Sequence, residues 1–179
     1  RAYHNQSFKF HFLKNLDDYN NAIFNNNKEN KAYNDDVFNL LDTVSADIIY
    51  LDPPYTGTMN NYFGFYGLVD DFITSKRTKP FENNFINKKI AVELFDNLFS
   101  RLSNFKYWYL SYNNSSYPSK NELLYLLNKY SDNVQVIERK HVYKITGKEK
   151  KETNKEYLFI IKNELYKKNI KKDYATAEL

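Results

Sequence analysis

The pattern of apolar residues predicts an α/β fold: half of a doubly wound sheet, with parallel strands, crossover helices and a last strand that runs antiparallel at the edge. Three observations carry this. An apolar run, Ile48-Ile49-Tyr50-Leu51, stops at Asp52-Pro53-Pro54-Tyr55. A helical stripe over residues 87–102 leads into a second, almost wholly apolar run over residues 105–112. Two later strand patterns are joined by a turn over residues 147–155, too short to cross a sheet, so they pair antiparallel.

Taken in order, residues 1–12 are basic and aromatic, and alternation at Phe8, Phe10 and Phe12 predicts a short strand or extended arm. Such an arm either packs its rings on the domain or lies along a phosphate backbone. Helical spacing at Leu16, Tyr19, Ile23 and Phe24 follows, then an Asn-rich polar loop. Lys31-Ala32-Tyr33 would be a minimal first strand. Asp35-Asp36 opens a short amphipathic helix carrying Val37, Phe38, Leu40, Leu41 and Val44, with the acids in its first turn. Residues 47–52 form a strand read as buried. Tyr62, Phe63, Phe65 and Tyr66, interleaved with Asn60, Asn61, Gly64 and Gly67, predict a mobile loop beside the site, whose rings either join the core or touch a target base. Lys76-Arg77-Thr78-Lys79-Pro80 is a basic loop, either a solvated turn or a phosphate contact.

Ile90, Ala91, Leu94, Phe95, Leu98, Phe99 and Leu102 lie on one helical stripe. The strand after it reads as buried on both faces. It ends in the polar loop Ser111-Tyr112-Asn113-Asn114, on the same sheet edge as Asp52. Ser119-Lys120-Asn121-Glu122 is a capping box ahead of a Leu-rich helix. Residues 133–139 are a strand continuing into the basic stretch Lys140 to Lys148, with Lys140, His141 and Lys144; His141 reads as structural or as a phosphate neighbour rather than catalytic. Residues 156–162 are the last buried strand, and the charged tail frays.

The corner at Asp52 carries the chemistry. Two consecutive prolines fix two φ angles and remove two N–H donors, which leaves a stiff loop of acceptors at a strand's carboxyl end, where open α/β sheets bind ligands. An exocyclic amine on a base is a poor nucleophile because its lone pair is delocalised into the ring. Two acceptors around its hydrogens, Asp52 Oδ and the Pro53 carbonyl, would localise and aim that pair. Tyr55 offers a face on which an extruded base can stack. Only positioning and charge stabilisation are needed. The structural alternative is a plain Asp-Pro turn with Tyr55 as packing.

Composition sets outer bounds. The 179 residues suffice for one domain, and 17 Tyr and 14 Phe let the core be built on rings. A net charge of +4 suits a polyanion partner. There is no cysteine, so disulfides and thiolate metal sites are excluded, and no metal site is expected. No apolar run approaches the roughly 18 residues of a membrane span, and no signal peptide is visible, so an intracellular protein with no membrane partner is expected.

These pieces together resemble the S-adenosylmethionine-dependent, Dam-like adenine-N6 DNA methyltransferases. The likeness rests on Asn34-Asp35-Asp36-Val37-Phe38, on Ile49-Tyr50-Leu51-Asp52-Pro53-Pro54-Tyr55 with the trailing residues 56–62, on Leu110-Ser111-Tyr112-Asn113-Asn114, on residues 140–147 and on Asn154-Lys155-Glu156-Tyr157-Leu158. It covers residues 31–163 and implies a Rossmann-like methyltransferase sheet. Residues 1–30 would then be the end of a recognition or linking region, and 164–179 a charged tail. By the resemblance, Asp52, Pro53, Pro54 and Tyr55 are catalytic. Asp35 or Asp36, with Asp52, would face the cofactor. Tyr62, Lys76, Arg77, Asn113, Lys140 and Lys144 are the DNA-binding candidates. The setting implied is bacterial and cytoplasmic, nucleoid-associated when bound, within restriction–modification.

One departure matters. The family's aromatic-x-Gly-x-Gly turn, which holds the methionine part of S-adenosylmethionine, is not formed by Gly57, Gly64, Gly67 or Gly147. In the Dam-like order that turn and the recognition region precede the catalytic motif, and residues 1–51 are too few for both. The expectation is the carboxyl-terminal, catalytic half of an enzyme on double-stranded DNA, completed by an amino-terminal half or a second polypeptide. Alternatives are a cytosine-N4 or RNA amino-methyltransferase, and a non-catalytic DNA-binding subunit.

Overall fold

The computed structural model describes residues 5–56, 62–79, 83–140 and 154–166. The chain divides into two compact units, residues 1–35 and 36–179. His141, Lys144 and the basic stretch after Lys140 lie outside the described residues.

The amino-terminal unit holds α1 (Phe8–Ala22). The predicted arm is therefore a helix. Ser7 starts it, its Oγ accepting the Phe10 N–H at 3.2 Å, and a side-chain cap of this kind outweighs three alternating rings as a local signal. Phe8 and Phe12, four apart, stack with centroids 6.2 Å apart. No residue of α1 is buried. The Asn-rich loop is folded by its own amides: Asn25 Oδ1 accepts from Asn27 N and Asn26 Oδ1 from Lys28 N, at 2.8 and 2.9 Å. Residues 31–33 form no strand, so the minimal first strand expected there is not formed.

The second unit begins with α2 (Val37–Leu41), whose N-cap is Asp36, accepting from Phe38 N at 2.8 Å. Asp36 thus stands ahead of the first turn rather than in it. β1 (Ala46–Leu51), α3 (Tyr62–Thr74), a 3-10 turn at Asn84–Ile86, α4 (Ala91–Ser100), β2 (Phe105–Asn113), α5 (Lys120–Leu127), β3 (Val134–Lys140) and β4 (Lys155–Lys162) follow. The expected loop after residue 62 is instead α3. Its glycines are accommodated: Gly67 sits under the Phe63 ring, so close that a Cβ there would lie 2.8 Å from it. The helix expected over 87–102 is shorter at both ends, beginning at Ala91 and turning into 3-10 geometry at Leu102.

The sheet order is β1-β2-β4-β3. β1 and β2 are parallel, and β4 is antiparallel to both β2 and β3. β1, β2 and β3 therefore share one direction and the final strand opposes them, as expected. Its position differs: β4 inserts between β2 and β3 rather than lying at the edge, because β2 and β4 pair over seven residues from Tyr107–Lys162 to Asn113–Glu156.

One sheet face is a core. Leu51, Trp108, Leu110, Tyr112, Phe159 and Ile161 pack against Phe95, Leu98 and Phe99 of α4 and Leu123, Leu126 and Leu127 of α5. Phe99 stacks on Trp108 at 6.3 Å, and the Trp108 indole N–H donates to the Phe105 carbonyl at 2.9 Å. Each such ring or Leu contributes roughly 1.5–3 kcal/mol by leaving water. The capping box of α5 is formed as expected: Ser119 N and Oγ donate to Glu122 Oε2 at 2.7 and 2.6 Å.

The opposite face corrects the reading of β1 as buried and of β2 as buried on both faces. Ile48 and Tyr50 remain 56% and 62% exposed. Tyr107, Tyr109, Leu158 and Ile160, in register beside them, are half-buried and stand outside the core cluster. A run apolar on both faces shows that both can be covered, not that this chain covers them.

Candidate active site

Leu51 is buried opposite Leu110, which fixes where β1 ends and carries Asp52 out past the sheet. Asp52 is exposed, while Pro53, Pro54 and Tyr55 are half-buried. The Tyr55 hydroxyl donates to Asp52 Oδ1 at 3.3 Å, closing the corner on itself.

A circuit of rings and hydrogen bonds holds this corner. Tyr55 meets Tyr112 edge-on, centroids 5.5 Å apart. Tyr112 meets Phe95 at 5.6 Å, and Phe95 meets Phe85 at 5.5 Å, both near-perpendicular. The Phe85 carbonyl accepts the hydroxyl of Thr56, a fully buried residue. Thr56 O accepts Tyr117 N at 3.2 Å, and Tyr117 O accepts the Tyr112 hydroxyl at 2.5 Å. Tyr117 in turn donates its hydroxyl to Glu122 Oε1 at 3.1 Å, so the corner is anchored to the start of α5. Ser119 holds the Glu122 carboxyl below the usual carboxylate range, through its hydroxyl first and then its N–H. The Glu122 carboxylate raises the Tyr117 phenol.

The same sheet edge gathers other expected residues. Asn113 ends β2 there, buried, its Oδ1 accepting from Ser115 N, Ser115 Oγ and Ser116 Oγ at 3.0, 3.2 and 2.7 Å. Its side chain shapes the loop. Asn114 Oδ1 accepts Lys155 N at 2.9 Å, extending the ladder to β4. Lys140 is exposed opposite Lys155, at the β3 end of this edge. Lys120 and Lys155 both reach Glu138, and Lys120 lies 5.0 Å from the Tyr157 ring centre. Lys155, then Lys120, holds the Glu138 carboxyl below its usual range.

Lys76 and Arg77 sit exposed in the turn after α3. Asp71 accepts from Thr78 N and Oγ1 at 2.6 and 2.8 Å, which folds that turn and lowers the Asp71 carboxyl. Tyr62 begins α3. Asp36 caps α2, and Asp35 belongs to the amino-terminal unit. Sequence reasoning missed Thr56, Phe85, Tyr112 and Tyr117. Thr56, directly after Asp-Pro-Pro-Tyr, and Tyr112, directly before Asn113, were the available signals.

An exposed carboxylate and a braced ring stand at the carboxyl edge of a partly parallel sheet, the edge at which open α/β domains as a class bind ligands. Residues 1–145 match the family model of D12 class N6 adenine-specific DNA methyltransferases, and the chain belongs to that family. It is 56% identical over 163 residues to Type II methyltransferase M2.HphI of Haemophilus parahaemolyticus, covering 91% of this chain and 48% of that protein. It is 29% identical over 162 residues to modification methylase StsI of Streptococcus sanguinis (83% and 24%), and 25% identical over 175 residues to Type II methyltransferase M.FokI of Planomicrobium okeanokoites (88% and 26%). The chain thus spans about half the length of the first relative and about a quarter of the others. No solved structure matches the chain significantly.

Among the described residues the edge presents hydrogen-bond acceptors, the groups that an amine's hydrogens require. It offers a carboxylate and a diproline corner. A cradle for the donor's amino-acid end needs closely approaching backbone N–H groups, usually at glycines. Of the four glycines, Gly64 and Gly67 lie within α3. Among the described residues no helix is long and apolar enough to cross a membrane, and no group of three or more His, Asp or Glu could hold a metal.

Proposed function

We propose that this chain is the catalytic half of a restriction–modification DNA methyltransferase acting on the N6 amine of adenine. Another half, on the same or a second polypeptide, would supply the glycine-rich cofactor turn. One observation carries the reading: Asp52 is exposed at the strand end while the ring beside it is braced by the circuit through Tyr112, Phe95, Phe85 and Thr56.

S-adenosylmethionine supplies an electrophilic methyl group. This chain's part is the amine. Asp52 Oδ and the Pro53 carbonyl accept the two N6 hydrogens, withdraw the lone pair from ring conjugation and hold it in one direction. Tyr55 stacks on the adenine after extrusion, which offsets an unstacking cost on the order of a few kcal/mol. The diproline corner keeps the acceptors fixed, so little reorganisation is needed. Asp36 is the nearer of the two aspartates to a regular element and the candidate contact to the cofactor's adenosine. Lys76, Arg77, Lys140, and Lys144 beyond it in the chain, are the candidate phosphate contacts, with Tyr62 and Asn113 nearer the bases. DNA is the polyanion that the net charge of +4 suits.

The test is a methyl-transfer assay on the chain combined with its missing half, using duplex DNA, single-stranded RNA and an N6-methylated duplex as substrates. Transfer to unmethylated duplex DNA alone is expected, with the label on adenine N6. Label on RNA, or on cytosine N4, would overturn it.

A further inference from the structure

The diproline corner is stiff, but it is poor in groups that could fasten it to the rest of the domain. Pro53 and Pro54 carry no N–H, so the first residues after Asp52 with both a donor and an acceptor on the backbone are Tyr55 and Thr56. Thr56, fully buried, is where the chain is tied down. Its hydroxyl donates to the Phe85 carbonyl, and its own carbonyl accepts Tyr117 N at 3.2 Å. Tyr117 lies in the loop between β2 and α5 and uses three separate groups on three neighbours. Its N–H holds Thr56. Its carbonyl accepts the hydroxyl of Tyr112, whose ring abuts Tyr55, at 2.5 Å. Its phenol donates to Glu122 Oε1 at 3.1 Å. Glu122 is itself fixed, because its second oxygen takes both Ser119 N and Ser119 Oγ, and Leu123 beside it is fully buried in the core. The frame of reference is therefore the first turn of a packed helix, not another loop.

From these we infer that Tyr117 is a positioning residue for methyl transfer: it clasps the backbone after Tyr55, and the ring that abuts Tyr55, to the start of α5. It acts through Thr56 and Tyr112 rather than on the base. Tyr55 stands between these two, one its neighbour in the chain and the other its neighbour in space, and both end on Tyr117. A shift of Tyr117 therefore moves the backbone and the ring of the corner together, and Asp52 with them. The inference rests on the proposed function for what the corner does, and adds what sets its geometry. A misplacement of about 1 Å can cost on the order of 10²-fold in rate. Loss of one of the three bonds loosens the clasp without opening it, so the expected cost is smaller, about tenfold.

The test compares variants in the completed enzyme, the chain together with its missing half, on duplex DNA. Tyr117→Phe removes only the phenol hydroxyl. Its kcat is expected to fall about tenfold while KM for DNA stays within about twofold. Glu122→Gln, whose amide still bonds the phenol, should stay within about threefold of wild type, and Glu122→Ala should lose as much as Tyr117→Phe. In an Asp52→Ala background, Tyr117→Phe should add less than about threefold, because the acceptor it helps to place is already gone. A role in stability alone would give the same loss in both backgrounds. Hydrogen exchange at the amide of residue 117, which donates to Thr56, should quicken in Tyr117→Phe. Tyr125→Phe, an exposed tyrosine of α5, should change none of these. Thermal unfolding verifies that each variant is folded at the assay temperature. An unchanged kcat in Tyr117→Phe, a loss confined to KM, a full loss on top of Asp52→Ala, or unquickened exchange would each overturn the inference. Absence of transfer by the wild-type complex would sink the catalytic reading and this inference with it, whereas an active wild type beside an indifferent Tyr117→Phe would sink this inference alone.

Discussion

The edge of one tyrosine ring braces another: Tyr55 and Tyr112 meet at 85° with centroids 5.5 Å apart, and Tyr112 is fully buried. The residue proposed to stack on the target base is therefore held from behind by the core. Replacing Tyr112 by Phe keeps the ring contact and removes only the hydroxyl that reaches Tyr117 O. A loss of about 1 kcal/mol in urea unfolding is expected. Tyr112→Ala removes the ring and leaves a cavity between Tyr55 and Phe95, with an expected cost of about 3–5 kcal/mol. Equal costs for the two would mean that the ring contact contributes nothing.

Asp52 lies in solvent, so its substitution should separate chemistry from folding. Asp52→Ala is expected to change unfolding free energy by less than about 0.5 kcal/mol. In the completed enzyme it should lower methyl transfer on the order of 10²–10³-fold or more, as loss of one positioned polar group does elsewhere. Tyr55→Phe, which removes the 3.3 Å bond to Asp52 and keeps the ring, should be much milder. The comparison is made on kcat at saturating DNA. Full activity in Asp52→Ala would exclude Asp52 from holding the amine.

Thr56 tests the other arm of the brace. It is fully buried, and its hydroxyl donates to the carbonyl of Phe85, 29 residues away. Thr56→Val keeps the shape and leaves that carbonyl without its donor. A destabilisation of about 1–3 kcal/mol is expected. Thr56→Ser keeps the donor and should recover most of it. If Val and Ser behave alike, the hydrogen bond is not what anchors the corner.

These residues also mark what the amino-acid order reveals. Local chemistry was legible: Ser119 and Glu122 are three apart, and their capping box forms as read. So was the strand ending at Asp52, because a diproline cannot continue a ladder. The long-range brace was not, since nothing near Thr56 points to Phe85. α1 and α3 were misread for opposite reasons. Alternating rings at Phe8, Phe10 and Phe12 imitate a strand, and the glycines at 64 and 67 imitate a loop where Gly67 makes room for Phe63. The exposure of Ile48 and Tyr50 was out of reach, because an apolar pattern records what a strand can bury and not which chain buries it.

Acid should loosen the corner through α5. Ser119 holds Glu122 below the usual carboxylate range, as Lys155 and Lys120 hold Glu138. A carboxylate with a lowered folded pKa contributes stability that is present above its unfolded value, about 4.3 for Glu. That contribution disappears as pH falls through the folded value. Stability measured by urea should hold steady above about pH 5 on this account and decline below about 4.3. Glu122→Gln should be less stable than wild type at pH 7 and should flatten part of the acid decline. An unchanged slope would show that the capping box carries none of it.

The methyl donor gives the last test. The corner offers Asp52 and a stiff carbonyl loop for an amine, whereas no two of the four glycines are spaced as Gly-x-Gly in the sequence. Isothermal titration of S-adenosylmethionine into the 179-residue chain alone should therefore give weak or no saturable heat. The complex with the remaining half should bind it with one site per complex. Asp52→Ala in that complex should change donor affinity far less than it changes methyl transfer, because Asp52 acts chiefly on the amine. Tight binding by the chain alone would mean that its own residues build the donor site, and that no second half is needed for it.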